Sequence, residues 1–216
     1  MTDTDGSQMA NAYPIAEVLR GYVNGNQVAR LTVSSNSMAP LLKIDDVIGL
    51  QKIDKTRVKP GQIITFEDPG DYHSLTTHRF ITNLEDDQGH LLMLTRGDHA
   101  LLFDHPWNAD ALVGQVVWRV RNGRLIRFDR GPGQWLSLQM GSMSERERAR
   151  ISGLPLADLR LSGHGIAGAN DQARHRRKKF FSRFVQISGR ISRESLAIIS
   201  PLFAIQEDDF KETEIL

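Results

Sequence analysis

The chain predicts a mainly β fold: an antiparallel β domain with a short N-terminal helix and a partly helical C-terminal extension. Three observations predict it. Short β-branched runs recur up to about residue 129, turn residues separate them, and no long helical pattern interrupts them. Strands are expected at 28–34, 47–51, 63–66, 78–82, 91–95, 112–120 and 125–128. Pro60-Gly61 precedes the third and Gly89 the fifth, while Asn122-Gly123 is a strong hairpin signal between the last two. Ahead of them, Ile15, Val18, Leu19 and Tyr22 fall at helical spacing over 13–23, with Asn24-Gly25 as a stop. That apolar face is expected to pack against the domain.

Four regions follow. Residues 1–12 read as a disordered, polar terminus, and 13–129 as the β domain. Region 130–173 opens at Gly131-Pro132-Gly133, taken as a boundary, holds a charged helical turn over 142–150 and continues as a Gly- and Ala-rich linker. Region 174–216 is a tail. It is basic through Arg174-His175-Arg176-Arg177-Lys178-Lys179 and acidic from Glu207-Asp208-Asp209 onward.

Composition excludes several classes. With 216 residues, 40% of them hydrophobic, the chain can bury one good core. A net charge of +1 points to no strongly charged partner. The lack of cysteine rules out disulfides, thiolate metal sites and a cysteine nucleophile. No apolar run is long enough to cross a bilayer, and the N-terminus lacks the basic and apolar regions of a secretory signal. A cytoplasmic protein is expected. In 174–187 arginine and lysine stand beside Phe180, Phe181 and Phe184, a composition suited to an anionic membrane surface and equally to a solvated tail. Nucleic acid is not an expected partner, because no helix-turn-helix pattern precedes the β domain. No cofactor is expected, since there is no Gly-Lys-Ser phosphate loop and no dinucleotide glycine fingerprint. No metal is expected either. His99, Asp104 and His105, or His73 with His78, lack a recognised ligand spacing.

The chemistry concentrates in one series of residues. Ser37 lies in Ser35-Asn36-Ser37-Met38-Ala39-Pro40, just after the first expected strand. A serine hydroxyl is a weak nucleophile and needs a neighbouring base, itself held in one tautomer. A tight turn could expose the Ser37 hydroxyl; the same residues could equally form a turn and nothing more. Ser35 could aim a second hydroxyl at the oxyanion, beside the backbone N–H of Ser37. Met38 would exclude water or simply fill the core. His78 opens an apolar strand, a rigid platform for a base, with Arg79 on the opposite face. Two carboxylates follow. Asp98, in Arg96-Gly97-Asp98, reads first as a turn brace. Asp104, in Phe103-Asp104-His105-Pro106, is either a turn carboxylate or the group that orients His78.

These residues also carry a resemblance. Ser37-Met38-Ala39-Pro40, Val58-Lys59-Pro60-Gly61-Gln62-Ile63-Ile64-Thr65-Phe66, His78-Arg79-Phe80-Ile81, Thr95-Arg96-Gly97-Asp98 and Leu112-Val113-Gly114-Gln115-Val116-Val117 stand in the order seen in type I signal peptidases. The chain therefore resembles the superfamily shared with LexA-type self-cleaving repressors, over about residues 28–129. His78 stands where bacterial signal peptidases have a lysine, as in the endoplasmic-reticulum and archaeal type. The resemblance implies a serine endopeptidase with Ser37 as nucleophile, His78 as base, Asp104 and Asp98 as supporting carboxylates and Ser35 as oxyanion hydroxyl. It implies a peptide or precursor-protein substrate and an elongated β fold. The chain departs from the pattern at Asp45-Asp46 and Gly61-Gln62, where Gly-Asp is usual, and no membrane anchor precedes the serine. The other reading of the same residues is an inactive module of this fold that binds a peptide or a protein.

Overall fold

The structure is a computed structural model. It describes residues 15–25, 27–68, 71–152, 160–161 and, between 190 and 206, all but 192, 196 and 199. The polar terminus, the basic run and the acidic end of the chain lie outside the described residues.

The fold is mainly antiparallel β, with one short helix before the sheet and a longer one after it. Helix α1 (Ile15–Asn24) comes first. The strands are β1 (Ala29–Thr32), β2 (Val47–Gln51), β3 (Ile63–Asp68), β4 (Asp71–Asp86), β5 (Leu91–Arg96), β6 (Trp107–Asn108), β7 (Leu112–Arg121) and β8 (Arg124–Arg127). Helix α2 (Gly131–Ser152), β9 (Arg160–Leu161) and β10 (Ile205–Gln206) follow, and short 3-10 turns lie at Lys55–Arg57, Ala109–Ala111 and Ser200–Phe203. Sheet order is β1-β2-β7-β3-β4-β5-β6; β8 pairs with β7 and β10, and β9 pairs with β4. Every pairing is antiparallel except that of β4 with β9.

The buried aliphatic residues of the strands form the core. Ile48, Leu50, Ile63, Val113, Val116 and Ile126 gather in one cluster with Leu136 and Met140 of α2. A second cluster, built on Ile64, Phe66, Phe80, Met93 and Trp107, fills the other side of the β3–β4–β5 segment. Strand β4 runs well beyond the expected 78–82. Its first half pairs with β3, and β5 joins only from Arg79. The polar run Ser74, Thr76, Thr77 therefore belongs to a strand with one partner there, which is why it lacks an apolar signature.

Helix α1 forms where its spacing predicts, but it turns a different face inward. Ala16 and Val23 are buried and Leu19 packs beside them, whereas Ile15, Val18 and Tyr22 are exposed. Arg20 sets this orientation. It reaches the carbonyls of Ala111 and Leu112 at 3.0 and 3.3 Å and Glu67 at 3.1 Å.

The larger difference concerns 130–173, where a helical turn is expected only over 142–150. Gly131-Pro132-Gly133 is the first turn of α2, where proline's missing N–H leaves nothing unsatisfied. The buried positions of α2 are Gly133, Leu136, Ser137, Met140, Gly141, Ser144, Glu147 and Arg148, a true helical period. It is written largely in small and charged residues, so the apolar pattern does not reveal it. A side chain at Gly141 would come within 2.2 Å of the Gly61 Cα, so only glycine allows the helix to lie this close to the β2–β3 connection.

Segment 190–206, placed within the tail by composition, belongs to the folded body. Arg193, Ala197 and Ser200 are buried, and β10 extends the sheet beside β8.

Candidate active site

Ser37 opens the turn that follows β1. Two arginines on β7 hold that turn from below. Arg121 donates to the carbonyls of Pro40 and Leu41 and grips Asp46 with two bonds of 2.6 Å. Arg119 donates to the Leu41 carbonyl at 3.1 Å. Burial, and next its neighbour Arg121, pushes the Arg119 guanidinium down to about 10, partly offset by Asp46; it stays cationic at neutral pH. Asp45 has φ of 71°, the left-handed conformation that aspartate tolerates better than most residues. Asp45 thus takes a backbone conformation that favours glycine, and Asp46 supplies a buried carboxylate.

Ser37 Oγ and Ser35 Oγ are hydrogen-bonded at 3.2 Å, at the surface. Met38 is buried directly beneath, and its sulfur accepts the Asp98 N–H at 3.4 Å. The methionine therefore fills the core and also joins the serine turn to the loop after β5.

His78 stands on β4, across the β3 ladder from Ile64. Its Nδ1 lies 2.6 Å from Asp104 Oδ2. A donor chain fixes that carboxylate. Trp107 Nε1 donates to Thr95 Oγ1 at 3.0 Å, and Thr95 Oγ1 donates to the same Asp104 oxygen at 2.7 Å. The Asp104 N–H is bonded in turn to the Thr95 carbonyl at 3.0 Å. Sequence reasoning missed Thr95 and Trp107. Thr95 sits inside a quoted motif, but Trp107 signals nothing until the loop folds back.

The far nitrogen of His78 borders the backbone of the serine turn, while the Ser37 hydroxyl is bonded to Ser35 and not to this ring. A methyl group at residue 97 would lie 2.6 Å from the Ser37 carbonyl oxygen and 3.1 Å from His78 Nε2. Both atoms thus border one point, and only glycine leaves it open. The His99 N–H donates to that Ser37 carbonyl at 2.9 Å, which locks the 97–99 loop onto the serine turn.

Asp98 points away from this centre. Both of its oxygens are taken by Arg79, at 2.7 and 2.6 Å, in a buried bidentate pair. As a support for His78 it is corrected: its carboxylate is committed to the opposite face of β4. Its bracing role is real but runs through Arg79 rather than through backbone N–H groups. Arg79 also donates to the Gly61 carbonyl at 2.6 Å and to Ser137 of α2, so one cation joins four segments. The second carboxylate network lies alongside. Glu147 of α2 is placed between Arg96 and Arg193, and His99 contacts Arg190 and Glu194.

Beside Ser37 runs an open groove of about 310 Å³ between Leu31–Ser35 and the Ser74–Thr77 stretch of β4. Among the described residues no group of three or more His, Asp or Glu side chains is placed to hold a metal ion. None of their helices is long and apolar enough to cross a membrane. Stretch 174–187, where a peripheral membrane contact or a solvated tail is expected, lies outside the described residues. No protein-family model and no curated protein matches this chain.

Proposed function

We propose that this chain is a serine endopeptidase of the signal peptidase-like kind, acting on an extended peptide or precursor protein. The carrying observation is the His78–Asp104 bond, with Nε2 of the same ring facing the serine turn across Gly97. Ser37 Oγ attacks the peptide carbonyl. His78 Nε2 takes its proton while Asp104 holds Nδ1–H and stabilises the imidazolium that forms. The Ser37 hydroxyl turns from Ser35 toward Nε2 to react, and Ser35 Oγ is then free to donate to the oxyanion beside the Ser37 backbone N–H. The leaving amine departs with the proton from His78, and water resolves the acyl-enzyme by the same route.

The groove supports the peptide reading. Val33 exchanges backbone hydrogen bonds with Asp46 and Asp45. By strand alternation the N–H and C=O of Thr32 and Ser34 then point the other way, where the groove lies. An extended substrate can add there as a strand.

A fluorophosphonate probe tests the reading. The whole chain is expected to form a covalent adduct at Ser37 that disappears in Ser37→Ala and weakens strongly in His78→Ala. A chain that forms no such adduct is a binding module of this fold.

A further inference from the structure

We infer that the groove beside Ser37 selects an uncharged peptide bearing a branched aliphatic side chain (Val, Leu or Ile), and that Ile15 of α1 sets the size of that pocket. The inference rests on the peptidase reading and specifies its substrate class.

Three observations carry it. The floor of the groove is Met38, Leu42 and Ile48, all buried, and its walls are Leu31, Leu75 and Ile15. A floor and walls of this kind reward an apolar side chain by the water they release. No residue lining the groove carries a charge; besides the apolar floor and walls it offers only the neutral hydroxyls of Thr32, Ser34, Ser35, Ser37, Ser74 and Thr77, so an entering lysine or aspartate would exchange its hydration for no opposite charge. The volume, about 310 Å³, is far more than a methyl group needs; a cavity of about 150 Å³ already holds a benzene. An alanine there would leave most of the floor wet.

The place of Ile15 follows from Arg20, which fixes α1 by its bonds to Ala111, Leu112 and Glu67. So anchored, the helix turns Ala16 into the core and presents Ile15 at the groove. Its half-exposed side chain is a wall rather than part of the packed interior, so it can change size without disturbing the core.

An extended peptide places every second side chain on one face. The pocket therefore takes the residue at the cleaved bond or the one two positions before it. The test uses the full chain and two series of 4-nitrophenyl esters, acetyl-Ala-Gly-X and acetyl-X-Gly-Ala, with X as Ala, Leu or Lys. In one series kcat/KM for Leu is expected to exceed that for Ala by at least about tenfold, with Lys slowest. Ile15→Trp should reduce that Leu-to-Ala ratio to below about three, a selectivity change that a loss of fold would not produce. Equal rates for Ala and Leu in both series, with Ser37 still labelled by fluorophosphonate, overturn the pocket and leave the peptidase reading standing. An unchanged ratio in Ile15→Trp overturns the role of Ile15. If wild-type protein neither hydrolyses any ester nor labels at Ser37, the peptidase reading itself fails.

Discussion

Among the described residues, two histidine–aspartate pairs have nearly the same length. His78 Nδ1 lies 2.6 Å from Asp104, and His90 Nδ1 lies 2.8 Å from Asp86. Their surroundings differ. The side chains of His78 and Asp104 are 14% and 26% exposed, those of His90 and Asp86 58% and 32%. Asp104 is fixed by Thr95 and, through it, by Trp107, and the free nitrogen of His78 faces the serine turn. Asp86 instead accepts the backbone N–H groups of Gln88 and His90, and so closes the hairpin between β4 and β5. A short imidazole–carboxylate distance is therefore not a mark of chemistry. What distinguishes the first pair is a second ring nitrogen with a hydroxyl-bearing turn beside it, and a carboxylate that cannot drift.

That contrast can be broken in graded steps. The largest effect is expected from His78→Ala, which should lower peptide or ester kcat/KM on the order of 10⁴-fold or more; His90→Ala should leave it unchanged in the same assay. Asp104→Asn comes next, at roughly 10³- to 10⁴-fold in kcat, because an amide no longer fixes the tautomer. The corresponding Asp86→Asn should not alter kcat. Asp98→Ala probes stability directly: it strands the Arg79 guanidinium in the core and should cost about 3–5 kcal/mol in urea unfolding.

The smallest effect is a pH dependence. The His90 backbone N–H, then its ring, holds the Asp86 carboxyl below the usual aspartate range. A carboxyl lowered in the folded state stabilises fully above its unfolded value and loses that contribution as pH falls through the folded one. Asp86→Asn should therefore narrow the gap between neutral and strongly acidic melting temperatures slightly. An equal gap in both proteins would show that the hairpin pair contributes nothing.

The β framework was legible because strands alternate with turn residues, a local signal. Ser37, His78 and Asp104 were legible as types in an order. The approach of His78 to Asp104 and to the backbone of the serine turn depends on Gly97 and the fold-back of Trp107, which are long-range facts. Asp98 was ambiguous for the same reason: whether a carboxylate after a strand meets the residue at 78 or 79 depends on which side of β4 the loop crosses. Helix α2 was the least legible element. Apart from Leu136 and Met140 its inward face uses glycine, serine, glutamate and arginine, and the burial of its polar groups is compensated by Arg79, Arg96 and Arg193. The inward face of α1 was misjudged because Arg20 sets its rotation, and an arginine's hydrogen-bond partners are invisible to periodicity.

Arg190, Arg193 and Glu194 clasp His99 and Glu147, although nearly a hundred residues separate His99 from its clasp. Translation delivers the serine turn, the histidine strand and their loop long before this closing segment leaves the ribosome. The backbone bond that ties this loop to the serine turn can form early, whereas the clasp on His99 and Glu147 closes only after residues 190–194 have been made.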